Sequence, residues 1–345
     1  MMTAVQAQPE LQRTAPVVMG RKDYWSVLLR LVGMDLYKVR RRLMAKVLLI
    51  TGILIVAGVF FLTGMAGWYT ASKPLSSFVP PNCAVHQVDG CVKGPVVTQA
   101  DIQHFRQAQV NRYAQNLNMP GIWSLGGLIV MEVLSILAII LAGALVGGEY
   151  SLGTVRLMFT RGPTRLQFLF AKIAVLAIYI VPALLLLMLV GTLVGSALSP
   201  LVGVATNFSF FTAAWLGHFV LYLLLGMLFW FGYAVMALFF GTVGRSTVAG
   251  IVGPLVWLST EPLLNRIVVL LVGNSSGGLA DFVKAVPDYF LGNNLSSLVQ
   301  DQAHALSFGD PAPYSDGHSL LVVAVYLVVF IGIACWLTVR RDVTH

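Results

Sequence analysis

The chain has 345 residues, 57% of them hydrophobic and 10% charged, with a mean hydropathy of +0.82. A soluble domain carries roughly 25% charged and roughly 45–50% apolar residues, so this composition excludes a water-soluble globular protein and specifies an integral membrane protein. Lys and Arg number 22 against 14 Asp and Glu; in such a chain the excess reports which side of a membrane the loops occupy rather than an affinity for nucleic acid.

Residues 1–20 are polar, contain Pro9 and Pro16 and lack the short apolar core of a cleavable signal, so they read as a disordered cytoplasmic tail. Residues 21–43 then turn amphipathic. Trp25, Leu28, Leu29, Val32 and Leu36 recur at helical spacing, with Lys22, Ser26, Arg30 and Gly33 on the other side. A helix of this kind just before a span lies flat in the membrane interface. The cluster Lys38, Arg40, Arg41, Arg42 and Lys46 holds it to the cytoplasmic leaflet.

Crossing the hydrocarbon core takes about 20 apolar residues. Six stretches qualify, approximately 44–68, 122–146, 171–194, 212–239, 247–271 and 319–338. Glu261-Pro262 and Asn265-Arg266 interrupt the fifth, the least clean of the six, which leaves open a continuous span or a broken, re-entrant one. With both termini inside, the cytoplasmic segments hold the basic clusters, including Arg156, Arg161, Arg165, Lys172, Arg245, Arg340 and Arg341. The basic residues left outside are Lys73, Lys93, Arg106, Arg112, Arg266 and Lys284, whereas Asp89, Asp101, Asp281, Asp288, Asp301, Asp310 and Asp316 all fall outside. That asymmetry selects the orientation. The fold expected is an all-α integral membrane protein with a six-span domain over 44–338, ending in a cytoplasmic tail at 339–345.

Two external segments are long. Residues 69–121 contain Cys83 and Cys91, then a possible helix from Gln99 to Asn116. Cys83 and Cys91 would pair if the loop meets an oxidising exterior; two free thiols is the alternative. Residues 272–318 include Leu279 to Leu298, whose apolar face (Phe282, Val283, Val286, Phe290, Leu291) suits a segment dipping into the outer leaflet.

No GxxxxGK[ST], HExxH or CxxC occurs, and the histidines form no helical pair, so the sequence offers neither a nucleotide site nor a metal motif. Glu132 stands near the middle of the second span, where an ionised carboxylate costs a few kcal/mol. It either lines a translocation path or pairs with a cation there, or it bonds a neighbouring helix, for instance through Ser135 or through Ser and Thr on other spans. Glu261 and Arg266 are spaced to form a structural ion pair near the outer end of the fifth span. GALVG at Gly143–Gly147 and GTLVG at Gly191–Gly195 are small-xxx-small patterns that admit close helix packing within the subunit.

The most informative stretch is the polar island Gly148 to Lys172, between spans two and three. Its Glu149, Gly153-Thr154, Pro163, Arg165 and Lys172, together with Arg156, resemble the first cytoplasmic loop of type-2 ABC transporter permeases, of the bacitracin and multidrug export kind. The turn Gly244-Arg245-Ser246 resembles the family's second cytoplasmic loop. The flat helix before the first span, the six spans and the terminal Arg340-Arg341-Asp342 agree with it, and the long first external segment departs from the compact members.

The resemblance implies the membrane subunit of an ATP-driven exporter in a bacterial plasma membrane. The chain itself would be no enzyme and would carry no cofactor, with ATP and Mg held by a separate ATP-binding subunit present in two copies. A coupling helix with Val155, Leu157, Met158 and Phe159 on its apolar side would dock in a groove of that ATPase. The residues implied in coupling are Glu149, Gly153, Thr154, Arg156, Pro163, Arg165, Lys172 and Arg245. A second permease subunit, identical or related, would complete the pathway, with the lipid bilayer as the other partner and no role for nucleic acid. Amphiphilic compounds, peptides or lipid-like drugs suit the apolar spans. The alternatives are an ATPase-independent secondary transporter and a membrane-embedded lipid-modifying enzyme.

Overall fold

A computed structural model describes residues 21–78, 99–151, 153, 163–203, 208–273, 275 and 277–340. Within them every regular element is helical. The helices are α1 (Arg21–Arg41), α2 (Leu43–Ser72), α3 (Gln99–Leu117), α4 (Gly121–Leu128), α5 (Ser135–Ser151) and α6 (Arg165–Leu198). They continue with α7 (Ala213–Gly244), α8 (Thr247–Val272), α9 (Gly278–Ala285), α10 (Leu291–Ala305) and α11 (Asp316–Arg340). A π-helical turn, Ile129–Val133, joins α4 to α5 into one rod. Six helical segments are long and apolar enough to cross a membrane: α2, the α4–α5 rod, α6, α7, α8 and α11. The expected tail 1–20, residues 341–345 of the expected C-terminal tail, and Cys83 and Cys91 lie outside the described residues.

The α4–α5 rod is the most enclosed of the six and α8 the least. α5 packs on α7 and α8, α7 also on α11 and α10, and α6 on α1 and α2. The outward faces stay apolar: Leu54, Phe61 and Leu62 on α2, Val269, Leu270 and Leu271 on α8, and Leu321 and Val328 on α11 are all exposed. Water does not tolerate a continuous apolar belt on that scale. The fold is that of a multi-pass membrane protein.

Local chemistry explains the helix ends. Thr164 and Gln167 form a reciprocal capping box at the start of α6. Thr212 and Ser246 accept from Trp215 N and Ala249 N at 3.2 and 3.1 Å, capping α7 and α8. Gly153 ends α5 at φ +65, a left-handed conformation that glycine adopts without strain, and its N–H donates to Tyr150 O at 3.1 Å. Because of these caps α5 runs to Ser151 and α6 starts at Arg165, so both spans extend into the polar island. Glu149, Arg165 and Lys172 are helix residues rather than loop residues.

The fifth span takes the continuous form of the two that its sequence left open. α8 is continuous from Thr247 to Val272 with Pro254 and Pro262 inside it. The polar residues that suggested a break are satisfied sideways instead: Trp257 Nε1 and Gly292 N donate to Glu261, and the Asn265 and Asn293 amides exchange bonds at 2.9 and 3.2 Å. α3 forms where the sequence predicts it. The segment around Leu279–Leu298 divides into α9 and α10, with Leu291, Leu295 and Leu298 buried and Leu279 and Phe282 exposed.

Both glycine patterns pack within the subunit. A Cβ on Gly143 would stand 2.8 Å from the Gly250 carbonyl, and one on Gly147 would stand 2.5 Å from Ser246 O. Gly191 and Gly195 seat Phe60 of α2. Gly147→Val should therefore cost about 2 kcal/mol through overpacking and lower the melting temperature in detergent. Gly332→Ala on α11, where a Cβ meets nothing within 4 Å, should leave it unchanged or raise it.

Candidate functional site

Lys172 has no solvent exposure, yet its Nζ lies 2.7 Å from Asp35 Oδ2 and 2.7 Å from Glu149 Oε1. Lys38 Nζ, on a partly exposed side chain, stands 3.4 Å from Asp35 Oδ1 and 3.6 Å from the same Glu149 oxygen. Two cations and two carboxylates make a neutral quartet, which is how charges are accommodated away from water. The Phe168 ring lies one turn before Lys172, its centroid 5.1 Å from Nζ. The four residues come from three elements: α1 supplies Asp35 and Lys38, α5 supplies Glu149 and α6 supplies Lys172.

The first turn of α6 extends this junction. Gln167, fully buried, donates from Nε2 to Tyr24 O at 3.1 Å and so holds the start of α1. Arg165 Nη1 donates to Thr338 O at 3.4 Å and Val339 O at 2.9 Å, where its charge meets the carbonyl end of α11. Arg42 reaches Ala144 O on α5 at 3.5 Å. At α5's end the Ser151 hydroxyl accepts from Thr247 N at 3.3 Å, so the end of α5 and the start of α8 abut. Arg245 occupies that turn in the left-handed region, at φ 48.

Of the residues expected to couple to an ATPase, the structure brings Glu149 and Lys172 into direct contact. Arg165 and Pro163 lie at the same end, as do Gly153 and Arg245. Thr154 and Arg156 lie outside the described residues. Glu149 and Lys172 are therefore inside the protein rather than on a docking surface.

At the opposite end the α4–α5 rod changes pitch. In the π turn Leu134 N bonds to Ile129 O at 3.2 Å, five residues back. Neighbouring carbonyls are taken up by side chains: Trp230 Nε1 donates to Val130 O at 2.8 Å and Ser135 Oγ to Glu132 O at 2.6 Å. Ser135 thus serves the Glu132 backbone, not its carboxylate as expected. The carboxylate accepts instead from Ser296 Oγ of α10 at 3.2 Å and lines a cavity of about 340 Å³. A π turn in a helix often marks a functional site.

Glu261 is buried, with Trp257 Nε1 at 2.5 Å from Oε1 and Gly292 N at 2.9 Å from Oε2. The carboxylate thus sits against the first turn of α10, where the helix dipole favours an anion. The expected pair with Arg266 is absent among the described ion pairs, and Arg266 is exposed. Backbone N–H groups supplied by α10 have taken the role assigned to the guanidinium. Beyond this region a vestibule of about 650 Å³ is lined by Asn265, Asp288 and Tyr314 among others. Burial and the neighbouring Asp288 carboxylate push the Tyr314 hydroxyl up to about 12, so it stays neutral at physiological pH.

Asp35, Gln167 and Ser296 escaped the reading of the sequence. Asp35 left a signal: it interrupts the stripe Leu28, Leu31, Val32 and Val39 at helical spacing, and Leu31, Val32 and Val39 are buried with it. The amphipathic face expected on α1 is split accordingly. Val32 packs inward, while Trp25 and Leu29 remain 60% and 68% exposed. Gln167 was legible as the N3 partner of Thr164 in a capping box. Ser296 had no local signal, since Glu132 is 164 residues away.

An all-helical bundle with an apolar belt and a neutral ion quartet at one end defines the class as a multi-pass membrane protein. More narrowly, the chain belongs to the family described as "Protein of unknown function (DUF2705)", which matches residues 112–344. The match takes in Glu149, Lys172 and Glu132 but not α1, so Asp35 and Lys38 lie before it. No curated protein matches the chain.

The quartet yields a graded expectation. Lys172→Met leaves two carboxylates buried with one partly exposed cation and should cost roughly 3–5 kcal/mol. Lys38→Ala should cost under about 1 kcal/mol because its ammonium is water-accessible. Thermal unfolding of both variants in one detergent checks the order; equal losses would contradict it.

Proposed function

We propose that the chain is the membrane subunit of an ATP-driven exporter, coupled to a separate ATP-binding subunit through the connector between α5 and α6. The observation that carries this reading is the junction around Lys172. A connector that transmits force needs rigid anchors on both sides. Here the helices flanking it are locked to each other by Glu149–Lys172, to α1 by Asp35 and Gln167, and to α11 by Arg165.

In this reading both termini, the α5–α6 connector and the α7–α8 turn face the cytoplasm, as the distribution of basic residues requires. The Ser151–Thr247 contact supports a shared docking region, because it sets the end of α5 beside the start of α8. α1 lies along the inner leaflet, its Trp25–Leu29 stripe toward lipid and Arg30, Arg40 and Arg41 toward head groups. Closure of two ATPase subunits would move the α5–α6 connector and, with it, the spans as rigid bodies. A second permease subunit completes the assembly in a bacterial plasma membrane. A secondary transporter built on inverted repeats uses paired broken helices near the midplane, and α8 is continuous.

Co-expression with a candidate ATP-binding subunit from the same genome tests this. Arg156→Glu should abolish co-purification without changing thermal stability. Arg245→Gly removes a charge from the second connector while suiting its left-handed backbone, so it should weaken ATPase stimulation in an intact protein. Transport by the chain alone under a proton gradient, with no ATPase bound, would overturn the proposal.

A further inference from the structure

The Glu132 cavity has a defined chemistry that the coupling account does not use. Its carboxylate, in the pitch-changing turn of the α4–α5 rod, has one described hydrogen bond, from Ser296, and no described cation pairs with it. Asp310 adds a second acid at the cavity's edge, and among the described lining residues none is Lys or Arg. The walls are aromatic and aliphatic, with Tyr222, Phe229 and Phe308 prominent, and Tyr222 and Phe308 meet edge to face at 5.5 Å. The Tyr222 hydroxyl is already spent on Trp123 O at 3.2 Å, so this residue offers its ring. Ser296 and Gln300 line both this cavity and the vestibule, which gives the site a way out on that side.

We propose that this cavity binds a monovalent cation carrying an apolar body, its positive centre on Glu132 between the aromatic rings and its body against Met131 and Val299. A carboxylate in a low-dielectric wall attracts a cation far more strongly than in water, and aromatic faces add to that attraction. The volume falls in the range of small-molecule sites. This rests on the exporter reading for direction only, since it names the cargo class of a site within one subunit. A free cationic amphiphile and the ammonium head group of a lipid share this chemistry.

The test is saturable binding of radiolabelled tetraphenylphosphonium to the purified chain in nanodiscs, with tetraphenylborate as the competitor of matching shape and opposite charge. The wild type should bind the cation, and tetraphenylborate should not displace it. Glu132→Gln should weaken binding by at least about ten-fold, the scale of one lost partly buried charge contact, whereas Glu132→Asp should retain most of it. Val299→Trp, which fills the cavity and leaves the carboxylate in place, should also abolish binding. It keeps the test decisive if the Gln variant unfolds.

Adding phosphatidylethanolamine to the nanodiscs distinguishes the source. Competition by the lipid would assign the site to a head group, and indifference would assign it to a free amphiphile. No saturable binding by the wild type, or equal binding by Glu132→Gln, would overturn the proposal. Binding is read without any ATPase, so this outcome and failure of the exporter reading are separable.

Discussion

A buried ammonium held between two carboxylates is the constraint on which the rest of this structure depends. Lys172 has no exposure and two partners at 2.7 Å. Burying an isolated charge is prohibitive, so Asp35 and Glu149 must both arrive for Lys172 to stay where it is. That requirement ties α1, α5 and α6 into one body, although α1 is separated from α6 by more than 120 residues of chain. The ion pairs supply position rather than a large net stabilisation, since the attraction is set against desolvation of every member.

From this junction the two ends of the bundle diverge in character. At the loop end, glycines let α5 and α8 approach at backbone distance, and the Arg165 and Gln167 bonds add two further attachments. Close packing of this kind passes displacement on rather than absorbing it. At the opposite end the π turn, the Glu132 cavity and the vestibule replace dry packing with polar, partly open space. The proposed function uses both characters: a stiff end to receive motion and a polar end to hold and release cargo.

Much of the fold was legible because the signals were local. Apolar runs of sufficient length gave the six spans, and Gly143 and Gly191 announced close packing. α1 was visible from its periodicity, yet the face it buries was not, since Asp35 counted as polar when its partner lay on another helix. The fifth span stayed ambiguous for the same reason. Glu261 and Asn265 look like a break in isolation, and only α10, beyond the next connector, supplies the Gly292 N–H and the Asn293 amide that satisfy them. Glu149, Arg165 and Lys172 stood out in the sequence as residues of one polar island, and all three are helix residues at one end of the bundle. Their burial and pairing depended on how far α5 and α6 extend, which the caps at Gly153 and Thr164 decide.

The central claim is that the Lys172 quartet fixes α1 to the span 2–span 3 junction. Pulsed electron resonance between spin labels at Arg30 on α1 and Phe170 on α6, both exposed, tests it most directly. A second pair, at Phe170 and Leu321 on α11, serves as the reference for the bundle. The account predicts one narrow α1–α6 distance in the wild type. In Asp35→Asn that distribution should broaden while the reference stays narrow. An α1–α6 distribution equally narrow in both proteins would contradict it.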